Sequence, residues 1–420
     1  MIALVWTLSI VFAAMTLYQA ALVVAFLLRT RGKSPADPGG DTPKAAILLS
    51  LRGADPGLAA GIRRLLRQDY PNYELRIVID SETDPAWDLV RAAVRETGAT
   101  HVRVGTLKER PDQCSLHCAS LIQLARELDD SIELFALADG DVVAHPGWLR
   151  ELLTPIIRGT ADATTGHRWF APEHGQFGSM VRYVWNAASV VSLHLFGILW
   201  GGTFAARTSD LRRSGLLERW SRSLAVDSPI HECWRKLGLR VDFVPSLMMI
   251  NREECSLRSS FTFVSRQLLW ARLYLPGPFW AAVVAHAFAA AAILLGVFGL
   301  LLYGIAAGHG QIAAVAFGSL AVHLIAMVLS LRRLEARVRR VRTYEGDSDH
   351  RLSPAVVLRL LLAIPAAQIV HLLATIHVLG TRRLRWRGVV YEIRSAFDVR
   401  KIEDRSLRQS DQPADPSHSL

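Results

Sequence analysis

The sequence predicts an α/β domain built on a parallel sheet and held between membrane-spanning helices. Three observations lead to that class. From Ala45 to Leu137, short apolar runs alternate with amphipathic helical stretches, the pattern of parallel strands joined by crossover helices. Ile2 to Leu28 contains no charged residue and is long enough to cross a bilayer. Towards the other end, Pro278 to Ile305 and Ile312 to Leu331 are again long and apolar.

In the first helix the basic residues follow the apolar run, at Arg29, Arg31 and Lys33. A secretory signal has the opposite order, so this segment reads as an uncleaved anchor with its C-terminal end in the cytosol. A linker rich in Pro, Gly and Asp follows, Ser34 to Pro43. Ala45 to Leu51 (AAILLSL) reads as a buried strand. Pro56 to Gln68 reads as a helix with Leu58, Ile62, Leu65 and Leu66 on one face. Leu75 to Ile79 (LRIVI) is a strand ending at Asp80. Trp87 to Arg95 is helical, His101 to Val104 strand-like and Ser115 to Leu128 helical. Ile132 to Leu137 leads into an aspartate pair. Open parallel sheets bind ligands at the carboxyl ends of their strands, where Asp80 and Asp139 both fall.

From Thr164 to Glu253 the pattern loosens, and Val190 to Trp200 is apolar but too short to span. Phe261 to Tyr274 mixes aromatics with Arg266 and Arg272, as an interfacial helix does. Leu360 to Leu379 is a weaker span that contains Pro365, Gln368, His371 and His377. Three C-terminal spans would leave Arg382 to Arg387 outside, against the positive-inside rule; a re-entrant segment broken at Pro365 removes the conflict. The expected division is an N-terminal span (1–28), a linker (29–44), the α/β domain (45–260), an interfacial helix (261–276), a C-terminal membrane region (277–380), and a basic juxtamembrane segment with a disordered tail (381–420).

The 420 residues are 51% hydrophobic and the formal net charge is +10. That charge does not point to nucleic acid, because much of it flanks apolar segments, in Arg332 to Arg342 and Arg382 to Arg387. Contact with an anionic membrane surface explains it better. The four cysteines, Cys114, Cys118, Cys233 and Cys255, form no disulfide framework, and Cys114, His117 and Cys118 read as helical packing rather than a zinc site.

The chemistry is carried by FALADGD, Phe135 to Asp141. A buried strand delivers two carboxylates one residue apart, Asp139 and Asp141, to a sheet edge. Oxygen ligands at this spacing suit Mg²⁺ or Mn²⁺ carrying a diphosphate. A solvated loop would also follow a strand in this way, so the surrounding residues decide. They run SLRGADP (Ser50 to Pro56), DYPNYEL (Asp69 to Leu75), Asp80, Asp84-Pro85, the Asp139/Asp141 pair, GHRWF (Gly166 to Phe170), VWN (Val184 to Asn186), WGGTFAAR (Trp200 to Arg207), Asp227 and SRQLLW (Ser265 to Trp270).

In that order and spacing the chain resembles a family-two membrane glycosyltransferase of the ceramide glucosyltransferase type, over roughly residues 45 to 275 and into the membrane flanks. The resemblance implies a GT-A fold, a nucleotide-sugar donor, most often UDP-linked, a divalent cation (Mg or Mn) and a lipid acceptor. It places Asp80 near the base and ribose, Asp139 and Asp141 on metal and diphosphate, and Asp227 as catalytic base. Arg266 and Trp270 match the ends of its (Q/R)-x-x-R-W motif. Gly201 and Gly202 would let backbone approach the sugar, an ordinary tight turn being the alternative, and Trp200, Arg168 and Trp169 would line the acceptor side, a core Trp169 beside a surface Arg168 being the alternative there. A helix N-cap is the plain alternative for Asp227, and His231, one turn on, would orient it. Leu269, His117 and Val226 depart from the family pattern. The expected reaction is inverting transfer of one sugar to a lipid hydroxyl at the cytosolic membrane face, the inner membrane in a bacterium. A processive polysaccharide synthase is the alternative within the superfamily.

Overall fold

Three strands buried along almost their whole length and one more open edge strand, separated by helices, organise the first third of the chain. A computed structural model describes residues 1–31, 42–55, 57–141, 143–341 and 354–405. After helix α1 (Ile2–Arg29) come β1 (Ala45–Leu51), α2 (Leu58–Leu65), β2 (Tyr73–Ile79), α3 (Pro85–Thr97), β3 (Val102–Thr106), α4 (Leu116–Arg126) and β4 (Leu134–Ala138). The expected strands and helices are all present here. Asp84 caps α3 through its side chain and Pro85 opens the first turn, while Ser115 caps α4. Next follow α5 (Trp148–Ile157), β5 (Ala163–Phe170), α6 (Phe177–Leu195), β6 (Thr203–Arg207), α7 (Thr208–Arg213), α8 (Leu216–Trp220), α9 (Asp227–Lys236) and β7 (Val241–Asn251).

One sheet holds all seven of these strands in the order β3-β2-β1-β4-β6-β5-β7. β1 pairs in parallel with β2 and β4, β2 with β3, and β5 with β7; β6 runs antiparallel between β4 and β5. The parallel-rich α/β class is thus borne out. Ile47, Leu49, Leu75, Ile77, Leu134 and Ala136 bury one face against α2, α3 and α5. The β5–β7 register shifts between Thr165 and His167, at Gly166. A Cβ there would lie 2.2 Å from the Leu247 carbonyl oxygen, so only glycine lets the strands approach so closely.

The rest is helical and then β again: α10 (Leu257–Tyr274), α11 (Gly277–Ala306), α12 (Gly310–Val341), α13 (Pro354–Leu379), β8 (Arg383–Trp386), β9 (Val389–Ser395) and β10 (Asp398–Asp404). The chain divides into a helical unit of residues 1–31, 172–196 and 254–380, and an α/β unit formed by the remainder. In the helical unit, Val5 and Phe12 of α1 pack with Leu294, Val297 and Leu300 of α11 and with Ile312 and Ala316 of α12. Thr16 and His323 Nδ1 are 2.8 Å apart within that group. Among the described residues, four helices, α1, α11, α12 and α13, are long and apolar enough to cross a membrane.

Three sequence readings change. Residues 381–404 are not a basic spacer followed by disorder. They form a three-stranded antiparallel sheet, β10-β9-β8, whose Val389, Tyr391, Ile393 and Val399 are buried. The Tyr391 hydroxyl accepts the Leu116 amide at 3.1 Å, which ties this sheet to the start of α4. Second, α13 runs unbroken through Pro365, so no hairpin forms there. Third, Val190 to Leu195 ends α6, a 19-residue helix of the helical unit, so the α/β domain is not continuous over 45–260. The linker reading from Ser34 to Asp41, Pro56, Arg342 and the tail beyond Arg405 lie outside the described residues.

Candidate active site

β4 is buried from end to end, so the chain emerges at Asp139 at the carboxyl edge of the sheet, between β1 and β6. Arg168 reaches this point from β5. Its Nη2 lies 3.0 Å from Asp139 Oδ2 and 2.9 Å from Asp141 Oδ1. A single cationic nitrogen therefore touches both carboxylates. The guanidinium also sits over the Trp200 ring at 5.0 Å, a cation–π contact that fixes its direction. The neighbouring Trp169 points the other way. Successive strand side chains alternate faces, and Trp169 is fully buried, so it does not line an acceptor mouth.

Gly201 and Gly202 join Trp200 to β6, and both are pressed by carboxylates. A Cβ at Gly201 would lie 2.3 Å from Asp227 Oδ1, and one at Gly202 would lie 2.3 Å from Asp139 Oδ2. What needs the missing side chains is thus the approach of two aspartates to the backbone. The Gly201 amide donates to Asp227 Oδ1 at 2.9 Å, and the Asp139 amide donates to the Gly202 carbonyl at 3.3 Å. One dipeptide links the aspartate pair to Asp227.

Asp227 is not the cap of α9. Val226 holds that position, and Asp227 is the first helical residue. Its bond goes to Gly201 rather than to His231. Burial raises the Asp227 carboxyl to about 6, opposed by the Gly201 amide and by Arg168. Asp139 is also raised, first by burial and then by the charge of Asp141. Two half-buried carboxylates this close repel, and Arg168 offsets part of that repulsion.

The same geometry tests the site for a metal. Two oxygens converge on one cation position, although no cluster of three metal-binding side chains occurs among the described residues. Mg²⁺ is commonly held by one or two carboxylates, with phosphate oxygens and water completing the shell. Asp139 and Asp141 fit that kind of partial site.

Asp80 lies in a second group. Its buried carboxylate accepts from Arg52 and, at 2.9 Å, from Arg110 Nη1. Arg110 also grips Asp404 of β10 at 2.9 Å, and Arg52 Nη2 donates to the Arg405 carbonyl at 2.6 Å. A third group is centred on Arg387, in the turn between β8 and β9. Its Nη2 lies 2.6 Å from Asp55 Oδ2, its Nη1 donates to the Arg52 carbonyl, and its own carbonyl accepts from Arg52 Nε at 2.8 Å. The sequence reading assigned Arg387 to lipid headgroups and missed Asp55, Arg52, Arg110 and Asp404. One signal was present: Arg387-Gly388 separates two runs of alternating character, as a hairpin turn does. His117, on α4, is held neutral, with its proton affinity lowered to about 4 by burial and by Arg387. Arg266 and Trp270 lie on α10 in the helical unit, with Trp270 facing Tyr274 at 6.3 Å and Leu269 buried between them in sequence.

A family model described as Glycosyl transferase family 21 matches residues 2–398. No curated protein matches the chain. Among solved structures it is similar to a mannosyltransferase from Pyrobaculum calidifontis in complex with GDP-Man and Mn²⁺, with 15% identity over 89% of this chain and 99% of that one, at a TM-score of 0.46. It is also similar to glucosyl-3-phosphoglycerate synthase from Mycobacterium tuberculosis in complex with Mn²⁺, UDP and glucosyl-3-phosphoglycerate, with 14% identity over 54% and 79%, at a TM-score of 0.37. Likeness at that level carries no argument about donor, metal or acceptor.

Proposed function

The chain belongs to glycosyl transferase family 21, the ceramide glucosyltransferase family, and we propose that this glycosyltransferase moves one sugar, with inversion, from a nucleotide-sugar, UDP-hexose first, to the hydroxyl of a membrane lipid. The observation that carries the reading is the convergence of Asp139, Asp141, Arg168 and Asp227 around the Gly201-Gly202 dipeptide. Four apolar helices in the same chain support a lipid acceptor.

In this reading Asp227 accepts the proton of the acceptor hydroxyl as its oxygen attacks the anomeric carbon from the face opposite the diphosphate. A new C–O bond forms, the bond to the β-phosphate oxygen breaks, and the nucleoside diphosphate leaves with the electron pair. A carboxylate raised to about 6 is a stronger base than an ordinary aspartate and stays ionised at neutral pH. Asp139 and Asp141 would hold the divalent cation, Mg²⁺ or Mn²⁺, which neutralises charge on the departing diphosphate. Arg168, steered by Trp200, adds a fixed cation beside them. Asp80, held by two arginines, shapes the nucleotide end.

Orientation follows from chain connectivity. Residues on both sides of α10–α13 belong to the α/β unit, tied by Arg387–Asp55 and Arg110–Asp404. An even number of crossings must therefore separate residue 253 from residue 381. α11 and α12 supply two. Both ends of α13 are tied to segments that are not among the four candidate spans: Arg359 donates to the His174 carbonyl before α6, and Arg272 of α10 donates to the Leu379 carbonyl. These contacts support a reading in which α13 stays on one side, and Arg29, Arg332 and Arg333, each following an apolar run, support a cytosolic α/β unit. The test of function is mass spectrometry of lipids made by the purified chain with Mn²⁺, UDP-hexose and a panel of lipid acceptors. A single added hexose on a lipid supports the reading; release of free sugar alone, or a polymer, overturns it.

A further inference from the structure

We infer that Arg387, carried by the turn between β8 and β9, is a donor-binding residue whose guanidinium, resting on Asp55, engages the diphosphate of the nucleotide-sugar. This rests on the donor chemistry proposed above and adds to it a residue that comes from beyond the last membrane helix.

The first observation is backbone conformation. Trp386 pairs with Val389, which leaves Arg387 and Gly388 as a two-residue turn with φ of 46° and 77°. Turns with positive φ at both positions favour Asn-Gly or Gly-Gly. Arg387 is the one non-glycine residue at positive φ among the described residues. A long charged side chain at such a position is a residue kept for where it points.

The second is where it points. The guanidinium is only 19% exposed and binds Asp55, itself 9% exposed. Asp139 and Asp141 both act on it electrostatically. An arginine among three carboxylates, two of them the candidate cation ligands, stands where a diphosphate would arrive. Arginine's planar fork suits phosphate oxygens.

The third is the wiring. The side chain of each of Arg387 and Arg52 donates to the other's backbone carbonyl, and Arg52 also holds Asp80. The turn is thereby joined to the carboxyl ends of both β1 and β2. A surface hairpin has no need of that connection.

The experiment is calorimetric titration of the full-length chain in detergent with Mn²⁺, using UDP and GDP, each against its monophosphate. For Arg387→Ala, affinity for the nucleoside diphosphate that the wild type binds falls by about 10- to 100-fold, the range for one charge-assisted contact, while affinity for the matching monophosphate changes little. Arg387→Lys recovers part of the loss. Equal losses on both nucleotides, or a fall in melting temperature that tracks the affinity, make the turn a structural latch and overturn the inference. Unchanged diphosphate binding in Arg387→Ala, with loss in Asp139→Ala, overturns it while leaving the proposed function standing. A wild type that binds neither diphosphate overturns both.

Discussion

The large sheet and the small sheet of the α/β unit are joined by interleaved charges, with acids and arginines on both sides. The seven-stranded sheet ends in acids: Asp80 after β2, Asp139 and Asp141 after β4. The three-stranded sheet brings Arg387 to Asp55, and its Asp404 draws in Arg110, which also holds Asp80. The acids need the cations, because burial and then the charge of Asp141 raise the proton affinity of Asp139 and favour its neutral form. The candidate site is thus assembled from two parts of the chain, and the second follows the apolar helices α11 to α13 in sequence.

If the acidic edge carries the chemistry, the largest effect belongs to Asp227. Asp227→Asn keeps the Gly201 contact but cannot take a proton, and turnover drops by about 10²- to 10⁴-fold with donor affinity nearly unchanged. Steady-state kinetics check this; a collapse of donor affinity with turnover intact would move Asp227 into the binding role. Asp139→Ala or Asp141→Ala removes one of two converging oxygens, for an expected loss of about 10²- to 10³-fold and weaker Mn²⁺ dependence. Full activity of either variant in a chelator would show that the pair holds no cation.

A smaller effect sharpens the link between the pair and the base. Gly202→Ala puts a methyl group 2.3 Å from Asp139 Oδ2, so the carboxylate must move. A shift of about 1 Å costs on the order of 10²-fold or less. Gly238→Ala, at a positive-φ glycine just after α9 with open space around it, shows by contrast what backbone strain alone costs. The pH profile probes the same base. Asp227 is protonated below its raised value of about 6, so the rate falls as the pH drops through 6 and is level above it. In Asp227→Asn that acidic limb disappears. A limb near pH 4 in the wild type would mean that burial does not raise this carboxyl when substrates are bound.

The smallest expected change is in topology reporters, which should not disturb activity at all. A fusion after Arg405 and one replacing the linker at 34–41 report the same side; one at Gly308, between α11 and α12, reports the other. A C-terminal reporter on the outer side would break the parity argument for α13.

What could be read from the sequence, and what could not, follows from the range of the interactions. β4 and its aspartate pair are legible because burial and spacing are local. So are the caps Asp84 and Ser115. The GHRWF motif left two readings of Trp169 open, acceptor-lining or core, because it does not reveal which residue of a strand faces which side; the structure buries Trp169. The need for Gly201 and Gly202 was seen, but its cause was not, since Asp227 and Asp139 press on them from 26 and 63 residues away in sequence. Arg387 and Asp55 stand 332 residues apart, and no pattern within a window relates them. α13 carries Pro365 yet runs intact, and the bonds at its two ends join residues 107 and 185 positions apart in sequence, beyond any local pattern.

The position of β8 to β10 also sets a clock on biosynthesis. Asp55 leaves the ribosome long before Arg387, which follows after 332 more residues, and at roughly 5–20 residues per second that is on the order of half a minute. Through that interval the nascent chain inserts α11 and α12 while its acidic edge stands without its distal arginine. A message cut short within α13 would yield a fully anchored protein with a complete aspartate pair that lacks Arg387, so membrane insertion and competence to bind donor are acquired at separate moments, in that order.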